Sequence, residues 1–171
     1  QKAGIKPIAG VEIRNGDELL YILLAANNRG YSAINRFLSN HLLADRSFPE
    51  FKNVHCGIFD SDDDGFIIYP LGAKDLHLLQ ANELIGLLPS ETYKLPQLPY
   101  REYASRFVVR QPVTFLTKQS FNVHRLLRAI DKNVLLSKLP DTAVCGEQEW
   151  MKSPSDLLEA FKLYPQIVTN T

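Results

Sequence analysis

The residues whose spacing first suggests chemistry are Asp60, Asp62, Asp64 and Gly65. Alternating carboxylates followed by a glycine form the first half of an EF-hand loop, which wraps a calcium ion. The second half is missing, because Leu71 stands where that loop needs a bidentate glutamate and the flanking residues are typical of strands. The sequence therefore favours a solvated acidic turn over a calcium site.

The histidines and cysteines show no metal-binding or catalytic motif. The four histidines are His41, His55, His77 and His124. Their spacing brings no two imidazoles to one ion, so we expect structural or surface roles. Cys56 and Cys145 form no CxxC pair, so neither a zinc site nor a disulfide framework is indicated. A Cys-His dyad or a Ser-His-Asp triad remains an alternative, since the fold brings such groups together from distant positions in the sequence.

Length and charge limit the functional classes. A chain of 171 residues with 45% hydrophobic side chains predicts a single domain over residues 1–171. Nineteen basic residues balance nineteen acidic ones, so strong binding of nucleic acid by the whole surface is not expected. No apolar run is long enough for a membrane span, and the start lacks the core of a signal peptide. We expect a soluble cytoplasmic protein.

Continuous apolar runs predict the strands that must position any site. They cover residues 6–13, 19–26, 66–71, 83–88 and 107–116. The first run ends at the turn signal Asn15-Gly16-Asp17, and a helix of residues 76–81 is expected between the third and fourth runs. Alternation of strands with helices predicts an α/β layer or barrel with parallel pairing.

Apolar periodicity predicts three further helices. One begins near Gly30, and its inward stripe is Tyr31, Ile34, Leu38 and Leu42. A second follows Thr117 or Ser120. Its stripe, expected to face the core, is Val123, Leu126, Leu127 and Ile130. The third begins at the capping box Ser153-Pro154-Ser155-Asp156 and ends at Pro165, with Leu157, Phe161 and Tyr164 inward.

Several segments together resemble one known family. They are Gly4 to Ile13 (GIKPIAGVEI), Leu23 to Tyr31 (LLAANNRGY), Gly65 to Gly72 (GFIIYPLG), Phe107 to Ile130, and Glu147 to Thr171. Their order and motifs resemble the PHP (polymerase and histidinol phosphatase) domain of the bacterial DNA polymerase III alpha subunit. The resemblance covers nearly the whole chain and is weakest over residues 43–54.

The resemblance implies a distorted β/α barrel at the front of a DNA-directed DNA polymerase, a nucleotidyltransferase of DNA replication. Active members hold zinc, manganese or other divalent metal ions at the strand ends for phosphoester hydrolysis. The family's opening motifs would precede Gln1, so we expect an incomplete barrel without its first strands. Residues from about 145 to 171 would form a helical extension toward the polymerase core, and a proofreading exonuclease would be a further partner.

The family's metal ligands are mostly replaced. The glutamate survives as Glu12, the next-strand histidine aligns with Leu20, and a cysteine aligns with Leu71. The closing Asp-x-His aligns with Pro112-Val113-Thr114. Leucine and proline side chains offer no lone pair to a metal ion, so no metal cofactor is expected. Glu12 would then be solvated, or it would accept hydrogen bonds, take up a proton, or pair with a basic group, for which Arg110 is the candidate on strand parity.

The sequence is compatible with three functions. The first is a non-catalytic structural and docking domain with a degenerate metal site, in which Glu12 is the residual ligand position. The second is a metal-dependent phosphoesterase or proofreading exonuclease, which needs several fixed ligands. A free-standing nucleic-acid-binding module fits the balanced charge least. The sequence favours the docking domain.

Overall fold

A five-stranded mixed sheet organises the fold. A computed structural model describes residue 4, residues 7–52 and residues 56–171 of the chain. The strands are β1 (Gly10–Asn15), β2 (Glu18–Ala25), β3 (Gly65–Pro70), β4 (Glu83–Leu87) and β5 (Phe107–Val109). They lie side by side in chain order. The β1–β2 and β2–β3 pairs are antiparallel, whereas β3–β4 and β4–β5 are parallel. The α/β class is confirmed, and the sheet is open.

The helices are mostly short. The α-helices are α1 (Asn28–Leu42), α2 (Tyr100–Tyr103), α3 (Ser120–Asp131), α4 (Pro154–Ala160) and α5 (Pro165–Thr169). The 3-10 helices are Leu76–Leu78, Pro89–Gln97, Ala104–Arg106, Leu136–Lys138 and Asp141–Ala143. The helix predicted over residues 76–81 is therefore a single 3-10 turn. Lys6 of the first predicted strand and His55 lie outside the described residues.

The turn between β1 and β2 follows directly from its sequence. Gly16 has a φ of 60°, a backbone conformation that glycine adopts without steric cost. Asn15 then anchors the hairpin, because its side chain exchanges two hydrogen bonds of 2.9 Å with the backbone of Phe48. The predicted turn is confirmed, and the segment after α1 is tied to it.

The start of α1 is fixed by the acidic turn before β3. Asn27 is the N-cap, and its Oδ1 accepts hydrogen bonds from the backbone N–H groups of Arg29 and Gly30. Gly30 lies so close to the backbone of Asp64 that a Cβ atom would overlap the Asp64 carbonyl oxygen. The helix can approach β2 and β3 at this distance only with glycine at position 30.

The hydrophobic core lies on one face of the sheet. Its fully buried members include Tyr21, Leu23, Ile67, Ile85 and Phe107, one or more from each of four strands. The inward residues of α1 and the segments after the sheet complete this core; those with no exposed surface outside the sheet are Leu95, Phe161 and Ile167. Residues 145–171 thus contribute side chains to the same core as the strands.

Two predicted elements differ in extent or orientation. The run of residues 107–116 forms a strand only from Phe107 to Val109, and the last bond to β4 is from the Arg110 N–H to the Leu87 carbonyl oxygen. Pro112, which has no N–H to donate to a ladder, lies beyond this end. In α1, Tyr31 and Leu42 of the predicted inward stripe are 55% and 66% exposed, whereas Gly30, Ala33 and Ile34 are buried. Ile34 of the predicted stripe is buried, and the small residues Gly30 and Ala33, which carry little hydropathy signal, are buried beside it.

Candidate functional site

The face of the sheet opposite the core carries Glu12 and Arg110, the two residues that the sequence singles out as a candidate pair. Side chains alternate between faces along a strand, and Glu12 pairs in register with Ile22, which pairs with Ile68. Gly86 and Arg110 continue this face across β4 and the end of β5. The expectation that Glu12 and Arg110 share one side agrees with this register.

Glu12 lies in the middle of β1 and forms a local ion pair. Its Oε2 is 2.9 Å from Nε of Arg14, and the two side chains are 44% and 43% exposed. Arg14 also donates from Nη1 to the Asp17 carbonyl oxygen, over 2.9 Å. The basic partner of Glu12 is therefore Arg14 on the same strand, in a partly solvated pair that salt and water weaken.

Arg110 is a partly buried cation among carboxylates. Its Nε is buried and has no hydrogen-bond partner among the described residues. Burial lowers the pKa of the guanidinium, while Glu91, Glu12 and Glu149 oppose that shift. Gly86 makes room for its stem, because a Cβ atom there would lie 3.0 Å from Cβ and 3.1 Å from Cδ of Arg110. The sheet face with Glu12 and Arg110 therefore carries the positive charge of the Arg110 guanidinium.

The other aligned ligand positions do not fit a metal ion. Leu20 is 7% exposed, and Leu71 packs against the core. Thr114 donates its hydroxyl hydrogen to Oε2 of Glu149 over 2.6 Å. The described part of the chain contains no group of three His, Cys, Asp or Glu residues that could hold a metal ion. The donors that remain are too few and too scattered for the family's ligand set.

A cleft of about 500 Å³ lies beyond the end of β5, between Arg110 and Lys152. Lys152 Nζ donates to Oε1 of Gln111 over 3.1 Å and to the carbonyl oxygen of Gln148 over 2.9 Å. Burial lowers the pKa of this ammonium group. The lysine thus connects Gln111 to Gln148 in the wall of the cleft.

His124 and Cys145 meet, but not as a catalytic pair. Nε2 of His124 accepts a hydrogen bond of 3.2 Å from the backbone N–H of Cys145, and its ring contacts Phe115. Burial raises the pKa of the Cys145 thiol. A thiol with a raised pKa is a poor nucleophile. The contact fastens the loop around Cys145 to α3.

The acidic turn is only partly solvated. The Asp60 side chain is 83% exposed and lies 3.5 Å from Arg36. Asp64, in contrast, is 3% exposed. Its Oδ1 accepts from Nδ2 of Asn27 over 3.0 Å and lies 3.2 Å from Nε of Arg29. The prediction of a solvated turn is wrong for Asp64, whose carboxylate orders the start of α1.

The apolar stripe of α3 faces solvent instead of the core. The exposed fractions are 57% for Val123, 50% for Leu126, 60% for Leu127 and 67% for Ile130. We call these four residues the α3 stripe. The prediction that the α3 stripe faces inward is wrong, although the helix itself and its periodicity are confirmed.

Polar side chains hold α3 in this orientation. Nε of Arg128 donates to the Ala143 carbonyl oxygen over 2.8 Å, and Nη1 donates to Oδ2 of Asp131 over 2.9 Å. The bond to Ala143 and the His124 contact attach the polar side of α3 to residues 143–145, whereas the bond to Asp131 lies within the helix. Leu135, in the segment that follows α3, is also 67% exposed. The result is an apolar surface without cover from the described residues.

Comparisons with known proteins give no family assignment. A scan against models of protein families finds no match, and a search of curated proteins finds none that is similar. Within the described residues, no helix is both long and apolar enough to span a bilayer. The features of the molecule that bear on function are therefore the sheet face with Glu12 and Arg110 and the α3 stripe.

Proposed function

We propose that this chain is the PHP-type portion of a bacterial DNA polymerase III alpha subunit and acts as a non-catalytic docking domain in DNA replication. The single observation that carries the docking role is the outward orientation of the α3 stripe. Large apolar surface of this kind commonly marks a protein interface. In this proposal the polymerase core of the parent chain covers the surface, and a proofreading exonuclease is a further partner.

The sequence resemblance and the fold can be combined in one architecture. The open five-stranded sheet would be part of a distorted, incomplete β/α barrel, and the face with Glu12 and Arg110 would line its interior. The resembling segments contain the first four residues of β1, the step from β2 to α1, β3, and the step from β5 to α3. The parent enzyme would be a cytoplasmic nucleotidyltransferase, whose polymerase activity lies outside this domain.

Loss of hydrolytic chemistry is supported by the side chains at the aligned ligand positions. Leu20 and Leu71 cannot donate electron pairs to a metal ion, and Glu12 is paired with Arg14. Arg110 adds a fixed positive charge on the same face, which would repel an incoming divalent cation. A hydrolytic centre needs an activated water held by several ligands, and this arrangement supplies none of that framework.

The docking role can be tested by titrating the chain against a DNA polymerase III alpha subunit whose PHP domain has been deleted. We expect a stoichiometric complex in analytical ultracentrifugation, and Leu126→Glu should weaken it at least about tenfold because the complex would then bury a charge in place of a leucine. Leu43→Glu is the matched control, since Leu43 is 90% exposed and lies after α1. No complex, or equal weakening by both variants, would contradict the docking role.

The alternative is a metal-dependent phosphoesterase or exonuclease, favoured by the carboxylates Glu12, Glu91 and Glu149 near Arg110. Zinc or manganese should raise neither the melting temperature nor the hydrolysis of p-nitrophenyl phosphate or a single-stranded oligonucleotide. Any ion that bound the native state would stabilise it. Metal-dependent turnover and a thermal shift, both removed by Glu12→Gln, would establish the alternative instead.

A further inference from the structure

We propose that the cleft beyond the end of β5 binds a small molecule with a single carboxylate group, which the Arg110 guanidinium recognises. The proposal goes beyond the docking role and does not depend on it, because no residue of the α3 stripe lines this cleft. Three observations carry it: a cation without a bonding partner, a cleft at that cation, and the balance of charge along the cleft wall.

Arg110 is the cation without a bonding partner. Its Nε atom is buried, and neither this nitrogen nor the two Nη nitrogens donate a hydrogen bond to any described residue. Burial of a charged donor costs free energy unless an acceptor is supplied. The chain bears this cost without a visible structural return, which is typical of residues that serve a site and not the fold.

The nearby carboxylates do not supply the acceptor, since each is bound to another group. The engaged groups are Glu12 with Arg14, Glu91 with Lys94 and Leu88, and Glu149 with Thr114 and Gly146. Their charges favour the protonated guanidinium at longer range, but among the described residues none forms an ion pair with it. The guanidinium is therefore available to a carboxylate from outside the chain.

The cleft has the size and the wall of a small-molecule site. Its volume of about 500 Å³ lies within the range of about 300–1,000 Å³ that ligand pockets occupy. Leu88, Pro89 and Pro112 line it together with Arg110, so a compact apolar body can contact them while its carboxylate faces the guanidinium. The stem of Arg110 packs over Gly86, which holds the side chain in place before a ligand arrives.

The charges along the cleft wall favour a ligand with one negative charge. The lining includes two cations, Arg110 and Lys152, and two carboxylates, Glu147 and Glu149. A phosphate monoester would bring nearly two negative charges beside these carboxylates, and like charges in contact oppose binding. A carboxylate brings one charge, and its two oxygens match the paired N–H groups of a guanidinium.

Benzoate is the probe for this site, because it carries one carboxylate on a compact apolar ring. Isothermal titration calorimetry of the chain should give a Kd of about 1 mM or lower. Benzamide, which has the same shape without the charge, should bind at least about tenfold more weakly, and so should inorganic phosphate. In NMR spectra of the 15N-labelled chain, the backbone amide signals of Gln111, Gly146 and Gln148 should shift as benzoate is added.

Substitution of Arg110 tests its role directly. Arg110→Gln should weaken benzoate binding at least about tenfold, because charge-assisted hydrogen bonds are lost. Arg110→Lys should restore only part of the affinity, since a point charge replaces the planar fork. Arg46→Gln is the matched control, because Arg46 is exposed and lies after α1, and it should leave binding unchanged. Without benzoate, the melting temperature of Arg110→Gln should stay within about 2 °C of that of the parent chain.

Several results would overturn the proposal. They are a Kd for benzoate above about 10 mM, equal binding of benzamide, or undiminished binding by Arg110→Gln. Tighter binding of inorganic phosphate, or of a triglutamate peptide, than of benzoate would exclude a small monocarboxylate as the ligand. If Arg110→Gln does not fold, the benzamide comparison and the NMR shifts decide the matter in the parent chain, and shifts confined to residues outside the cleft would refute the site.

Discussion

Lys74 and Glu83 form an ion pair inside the fold, where the burial of charged groups costs free energy. Their side chains are 1% and 0% exposed, and Nζ lies 2.8 Å from the carboxylate. Glu83 also accepts from the Tyr69 hydroxyl and from the backbone N–H of Gln80, both over 2.9 Å. Burial, followed by the nearby Cys56 and Glu83, raises the pKa of Tyr69. The tyrosine therefore stays protonated and able to donate.

Removing one partner of this pair should be far more harmful than removing both. Lys74→Met leaves a buried carboxylate without its cation and should lower the free energy of unfolding by about 3–5 kcal/mol. The double variant with Glu83→Leu should recover much of that loss. Urea denaturation of the two single variants and the double variant gives the coupling energy. Additive losses would show that the pair contributes no specific stabilisation.

The two thiols should differ in reactivity. Cys56 is 6% exposed, and burial raises its pKa to about 12, whereas Cys145 is half-buried. At pH 8 iodoacetamide should modify Cys145 more than about tenfold faster than Cys56, because Cys56 reacts only after local opening. Mass spectrometry of the digested protein measures both rates. Equal rates in the native state would contradict the packing around Cys56.

At the scale of elements, Gly30 decides how closely α1 approaches the sheet. In the interior of a helix, alanine is normally more stabilising than glycine by about 1 kcal/mol. Gly30→Ala should nevertheless destabilise the fold by about 2 kcal/mol or more, because its Cβ would overlap the Asp64 carbonyl oxygen. Ser32→Ala, at an exposed position of the same helix, is the control and should be neutral or slightly stabilising. A gain of stability from Gly30→Ala would exclude this close approach.

The strands were the elements most readily predicted from sequence. The apolar runs at residues 66–71 and 83–88 correspond to β3 and β4 within one residue at each end. A strand buried in a sheet requires such a run, so hydropathy alone locates it. The direction of strand pairing is harder to predict from sequence, since nothing in these runs distinguishes the antiparallel β2–β3 pair from the parallel β3–β4 pair.

The site was less predictable because its decisive contacts are made by polar and small residues. Periodicity identified the helix α3 and its stripe, but it could not show that Arg128 and His124 attach the opposite side to residues 143–145, which follow the helix. An amphipathic pattern shows which face of a helix is apolar. It does not show whether that face is buried within the same chain or against another protein. Asp64 was missed for a related reason, since a buried carboxylate has no sequence signature apart from its neighbours.

At the scale of the molecule, the last segment is an integral part of the core. Phe161 and Ile167 have no exposed surface, and they pack in the same cluster as the strand residues. Phe161→Ala should therefore lower the free energy of unfolding by about 3–5 kcal/mol in one cooperative transition. Thermal unfolding followed by far-ultraviolet and near-ultraviolet circular dichroism gives the test. A separate early transition confined to the helical signal would indicate an independent extension.

The order of the strands has a consequence for how the fold is reached during synthesis. Since neighbours in the sheet are also neighbours in the chain, each strand can join the preceding one as it leaves the ribosome, with little entropy lost to closing long loops. The exception is β5, whose Val109 N–H donates to Oγ1 of Thr171 over 2.8 Å, 62 residues later. Asn170 likewise bonds the carbonyl oxygens of Ala104 and Phe107. The first four strands can therefore assemble progressively, whereas β5 gains these contacts only when residues 170 and 171 have emerged.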